Sequence, residues 1–147
     1  MTYRFGVTIF VPGTSEPAHW GFVIYQPPST MGDLLHVRVI DESLNLFQFE
    51  PRIPHLLASQ NAWGVCKIRD LTREEYTKVA RILESEVPPP RGGAKNCQDW
   101  VIDGLVALEV EELVSEGTTQ TWSSRVGKAT LVIKNEVSGD WLSLNGR

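Results

Sequence analysis

Lys95-Asn96-Cys97-Gln98-Asp99-Trp100-Val101 sets a cysteine at the mouth of a helix. Asn96 is a preferred N-cap residue and Asp99 follows three positions later, so the stretch predicts a helix that opens at Cys97 and runs to about residue 116. Val101, Leu105 and Leu108 follow Cys97 at spacings of four, four and three, which puts the thiol on an apolar stripe facing a sheet. At the first helical position, unpaired backbone N–H groups and the positive end of the helix dipole favour a thiolate, the nucleophilic form of cysteine. The same position also suits a cysteine that is simply core, because small thiols are among the most buried side chains.

Upstream of this helix, Pro88-Pro89-Pro90-Arg91-Gly92-Gly93-Ala94 is a breaker-rich connector, able to shape a substrate entrance beside a reactive thiol. Before it, Thr72 as a cap and Tyr76, Val79, Ile82 and Leu83 at helical spacing predict an earlier helix ending near residue 86. Everything further upstream has strand character. Residues 3–11, 19–25, 34–40, 45–50 and 63–68 are rich in β-branched and aromatic residues, and Pro12-Gly13 and Pro27-Pro28 punctuate them. Residues 12–18 form a polar loop, and the second and third strands pair as an antiparallel hairpin around residues 29–32.

Downstream, the pattern weakens beyond Gly117. Residues 118–128 are polar around Trp122, residues 129–134 fit either a last strand or a helical end, and residues 138–147 read as a loosely held tail in which Trp141 suggests some docking. The expected fold is α+β: a small antiparallel sheet packed against the cysteine-bearing helix. It forms one domain over residues 1–147, with a core over about 3–116 and a C-terminal extension over 118–147.

A chain of 147 residues has room for one sizeable core. A hydrophobic fraction of 41% and a formal charge of -4 describe a globular protein and give no support to a nucleic-acid partner or an anionic membrane surface. No apolar run reaches bilayer length, so no membrane span is expected. The first residues carry Arg4 but no long apolar run and no small-residue cleavage site, so no secretory signal is expected either. Cys66 and Cys97 lack metal-type spacing and are expected to be reduced in the cytoplasm, with no cofactor and no metal. The oligomeric state stays open.

A cysteine nucleophile needs a base and a group to orient it, and only three histidines are available. His55 follows Pro54 in a loop-like context. His19 opens a strand directly after a polar loop, where it reaches a cleft at the sheet edge, and His36 lies on the neighbouring strand. Two strand-borne imidazoles and a helix-borne thiol supply the parts of a Cys-His pair with an orienting third group. Each histidine is equally consistent with a satisfied, half-buried structural residue. A metal set of His19, His36 and Cys97 has no established spacing.

His19-Trp20-Gly21-Phe22-Val23-Ile24-Tyr25, then His36-Val37, then Asn96-Cys97-Gln98-Asp99-Trp100-Val101 resemble the circularly permuted papain-like, or NlpC-like, superfamily. Within it they are most similar to the lecithin:retinol acyltransferase branch, whose pattern is a His-aromatic-Gly/Ala strand, a second His and an Asn-Cys-Glu-His-Phe helix start. They also resemble a group of short fungal proteins with a His-Trp strand and an Asn-Cys-Gln-Asp/Thr-Trp helix start. The resemblance covers about residues 3–116. It implies Cys97 as nucleophile, His19 as base, His36 as orienting group and the backbone N–H of Cys97 as part of an oxyanion hole, with Asn96 and Gln98 as supporting residues. The implied activity is that of a cysteine-dependent hydrolase or acyltransferase. A small-molecule or peptide amide, ester or thioester would pass through a thioester on Cys97 to water or another acceptor.

Departures from the pattern narrow this. Gln98-Asp99-Trp100 stands where the acyltransferase branch has Glu-His-Phe, so its lipid chemistry is not carried over, and no hydrophobic C-terminal anchor follows the helix. The interval of 17 residues from His19 to His36 exceeds the hairpin of that branch. A turn centred on residues 27–32 sets Ile40 or Asp41 opposite His19, which makes Asp41 the second candidate for the orienting group. A peptidase for ubiquitin-like tails, as in the PPPDE branch, has no specific mark in this chain. The competing reading is a non-catalytic binding module that keeps the fold, suggested by five tryptophans.

Overall fold

The β-branched and aromatic runs of the first half become five strands, β1 (Thr2–Phe10), β2 (Trp20–Tyr25), β3 (Met31–Asp41), β4 (Leu46–Leu56) and β5 (Ala62–Thr72). After them come α1 (Arg73–Ser85), α2 (Cys97–Val110), α3 (Thr118–Ser123), α4 (Thr130–Val137) and a short β6 (Trp141–Ser143). This structure is a computed structural model that describes residues 2–11 and 18–147. Apart from Ala18, the polar loop expected over residues 12–18 lies outside the described residues. The six strands form one antiparallel sheet in the order β4-β3-β2-β1-β5-β6, so the architecture is α+β. Among the described residues no helix is long and apolar enough to cross a membrane.

β2 is buried along its whole length, which is why it reads as a continuous apolar run rather than an alternating one. Trp20, Phe22 and Ile24 face α2 and share a core with Trp100, Val101, Leu105 and Leu108. Val23 and Tyr25 face the other way, into a smaller core with Leu34, Leu57, Val65 and Leu144. Gly104 brings α2 close to the sheet: a Cβ there would stand 2.9 Å from Leu83 and 3.1 Å from the Phe22 ring.

One irregularity of the sheet creates the site. β2 and β3 pair only from Tyr25↔Gly32 to Phe22↔Leu35, whereas β3 stays with β4 as far as Asp41↔Leu46. Beyond Leu35 the β3–β4 ribbon therefore leaves β2, and a cleft opens between them at the start of α2.

Four expectations are corrected. α2 stops at Val110, not near residue 116, because Glu112 turns left-handed at φ 58°. Glu112 N–H then donates to the Glu109 carbonyl at 3.0 Å and Leu113 N–H to that of Leu108 at 2.9 Å, closing a Schellman motif without a glycine to announce it. β4 continues from residue 50 through Pro51 and Pro54 to Leu56, as it can on an edge strand whose outer side needs no donors. His55 thus sits in a strand rather than a loop. The tail is docked: β6 pairs with β5 at Gly64↔Ser143 and Cys66↔Trp141, the Trp141 ring covers the face that Gly64 leaves bare, and Leu144 is buried. Residues 129–134, open between strand and helix, enter α4, which packs by burying Thr130 and Ile133.

Candidate active site

The start of α2 is built as the local sequence dictates. Asn96 Oδ1 accepts from the Gln98 N–H at 2.9 Å, and Asp99 Oδ2 accepts from the Asn96 N–H at 2.9 Å. Gln98 is fully buried and points away from the cleft: its Nε2 donates to the Ala18 carbonyl at 2.8 Å and its Oε1 accepts from the Gly127 N–H at 2.9 Å. Gln98 therefore ties the residue before His19 to the residue after Cys97. Its role is positional.

Cys97, Asn96, His19, His36, Arg38 and Arg52 line a cavity of about 650 Å³ in the cleft, and Val37, Val39 and Phe47 give it an apolar wall. Three parts of the chain thus deliver the three proposed reactive side chains to one space. The sulfur is half-buried, and the backbone N–H of Trp20, next to His19, bears on it together with those of Gln98 and Cys97 itself.

The imidazoles are in direct contact. His19 Nε2 and His36 Nδ1 are 2.7 Å apart, with the rings inclined at 68°. His36 Nε2 lies 3.4 Å from Glu50 Oε1, and Glu50 in turn accepts from Arg38 Nη1 at 2.8 Å and from Arg52 Nε at 2.7 Å. Sequence reasoning missed Glu50. The available signal was long-range: the β3–β4 hairpin sets Glu50 directly opposite His36.

Asp41 is not part of this chain of contacts. It accepts from Ser43 Oγ at 2.7 Å and from the Leu44 N–H at 3.3 Å, capping its own turn. The expected register fails because the true hairpin, continued three residues past Phe22↔Leu35, brings Arg38 level with His19. His55 is buried among Phe10, Leu34 and Arg52 on the far side of the histidine pair, where its Nε2 has no partner among the described residues.

Protonation states follow from burial. The Cys97 thiol is pushed up by burial, and the three N–H groups around it offset this only in part. The expectation of a resting thiolate is therefore corrected: desolvation outweighs the helix start. His19 is lowered to about 3 by burial, then by His36 and Arg52, with Glu50 acting the other way. His36 is lowered to about 4 by burial, against the pull of Glu50. At neutral pH the site holds a thiol and two neutral rings, an arrangement in which a base takes the proton as the sulfur attacks. Cys66 is core, its thiol raised to about 12 by burial. Among the described residues no three His, Cys, Asp or Glu side chains stand as a set able to hold a metal ion.

Residues 7–115 match a protein family described as a family of unknown function, DUF6540. The matched span runs from within β1 to just beyond α2 and contains His19, His36, Glu50, Asn96 and Cys97. No curated protein and no solved structure matches the chain.

Proposed function

The chain belongs to that family, and we propose that it is a cysteine-dependent hydrolase or acyltransferase built on a circularly permuted papain-like fold. The observation that carries this reading is the convergence of Cys97, His19 and His36 on one cavity where β2 and β3 part. His19 offers Nδ1, the ring nitrogen that His36 does not engage, as the base.

Cys97 Sγ attacks the carbonyl carbon of an amide, ester or thioester while His19 takes the thiol proton. The carbonyl oxygen becomes an oxyanion, supported by the backbone N–H of Cys97 at the open helix start. Collapse of this intermediate breaks the bond to the leaving group, which departs with the proton from His19. Water or another acceptor then attacks the thioester, gives its proton to His19 and releases the acyl product, and the proton returns to Cys97. The low affinity of both rings for a proton suits a transient carrier more than a preformed ion pair.

The test is alkylation by iodoacetamide from pH 5 to pH 10 with the adducts mapped. Cys97 should react at neutral pH at least about tenfold faster than Cys66 in the folded protein, and His19→Ala should slow Cys97 itself at least about tenfold. A Cys97 no more reactive than Cys66 overturns the proposal. The uncharged resting pair favours one second reading, a binding module that keeps the fold without chemistry, for which Cys97→Ala leaves the cellular effect intact.

A further inference from the structure

Resting on the thiol chemistry proposed above, we infer that Glu50 is a positioning residue of this site: its carboxylate fixes the tautomer of His36 and, through His36, that of His19, so that His19 presents a bare Nδ1 to the cleft. Each link is a donor paired with an acceptor. An ionised carboxylate only accepts. Arg38 and Arg52 both donate to Glu50, and although burial acts to raise its carboxyl, these bonds win and hold it at about 2. The nitrogen facing it, His36 Nε2 at 3.4 Å, therefore carries the ring's hydrogen.

A neutral imidazole has one donor and one acceptor, so His36 Nδ1 accepts. Its partner at 2.7 Å, His19 Nε2, must donate. His19 has then used its only hydrogen, and its Nδ1 carries a lone pair. The opposite tautomers would aim a lone pair of His36 at a carboxylate and close His19 Nδ1 with a proton, leaving Cys97 without a base.

The charged and titratable groups around the two rings are consistent with this direction. Arg52 and His55 approach from β4 and Arg38 from β3, and Cys97 faces them from the start of α2. Arg52 disfavours a cation on either ring and His55 on His36, while Glu50 favours one. Glu42 also lines the cavity, but Glu50 is the carboxylate that bears on both rings, and it steadies the charge His19 gains when it takes the thiol proton. Its place opposite His36 lets Arg38, on β3, and Arg52, two residues along β4, both donate to it while the two rings keep their direct contact.

Glu50→Gln tests the assignment. The arginines claim the amide oxygen, the amide NH2 turns toward His36 Nε2, and that nitrogen must become the acceptor. In histidine-labelled protein at pH 7, long-range 1H–15N spectra should show His19 and His36 protonated on Nε2 in the unmodified chain and on Nδ1 in Glu50→Gln, with Glu50→Asp keeping the original pattern. Iodoacetamide alkylation of Cys97 at neutral pH should fall on the order of 100-fold in Glu50→Gln, by the logic that a wrong histidine tautomer costs a Ser-His-Asp triad about 10⁴. Unchanged tautomers in a folded Glu50→Gln protein overturn the assignment. So does Nδ1 protonation of either ring in the unmodified chain, a result that needs no variant to fold. An inert Cys97 together with the expected tautomers refutes the thiol chemistry while supporting the role of Glu50 in setting the rings.

Discussion

His19 and His36 titrate far below an exposed histidine, and this has a sign that solution measurements can read. Unfolded histidine binds its proton near pH 6.5, whereas the folded rings do so at about 3 and about 4, chiefly because burial disfavours the cation. Between those limits the unfolded chain holds more protons, so stability rises with pH. It is fully present above about pH 6.5 and is lost on acidification toward pH 4 and then 3. Glu50 adds a loss of the same sign from 4.5 toward 2, because its folded value is depressed. Urea midpoints measured from pH 7 to pH 4 should therefore fall, and His36→Gln should flatten the slope between pH 6.5 and pH 4; an unaltered slope would contradict the neutral rings. Legibility at this scale divides by distance along the chain. Cys97, Asn96 and Asp99 are readable because a cap is made by residues within three positions of one another. Glu50 is not, because its meaning exists only once β3 and β4 are in register, and Asp41 stands opposite His19 only in a hairpin three residues out of step with the observed one, which sets Arg38 there.

The two ends of α2 show the same division within one element. Its start is closed by side chains, and Asn96→Ala should cost about 1 kcal/mol in chemical denaturation. Its end is closed by backbone geometry alone, with exposed Glu112 at φ 58° where glycine is the usual residue. A left-handed L-residue costs roughly 1–2 kcal/mol, and glycine gives back roughly 0.5–1 kcal/mol through the freedom of the unfolded chain. Glu112→Gly should accordingly stabilise by about 0.5 kcal/mol. A loss of stability in that variant would mean that Glu112 makes a contact outweighing its backbone strain. Neither change touches the cavity wall except through Asn96, so only Asn96→Ala should also slow alkylation of Cys97. The predicted run to residue 116 failed for this reason: Leu113 and Val114 are buried and extend the apolar pattern past the point where the helix has already turned.

Across the whole molecule, the class of fold was readable from the change of period after residue 72, but the order of the strands was not. β1 pairs with β5 across 52 to 70 residues of sequence, and three-residue β6 is too short to carry any periodic signal. Yet β6 covers the outer edge of β5 and brings Leu144 into the core with Val23 and Val65. Asn145 Nδ2 adds hydrogen bonds to the Ser59 and Ala62 carbonyls at 2.8 and 3.0 Å. Burial of one leucine is worth about 2 kcal/mol, and an uncovered edge strand invites pairing with another chain. Removing residues 138–147 should therefore lower stability by at least about 2 kcal/mol and produce self-association that grows with protein concentration, measured by denaturation and sedimentation. The cleft lies on the other side of β1, between β2 and the β3–β4 ribbon, and the Gln98 contact to Gly127 survives the cut. Cys97 in the folded fraction should keep its alkylation rate. A slower rate there would mean that the C-terminal segment shapes the cleft through the sheet, and that edge protection and chemistry are not separable functions of the two halves of this fold.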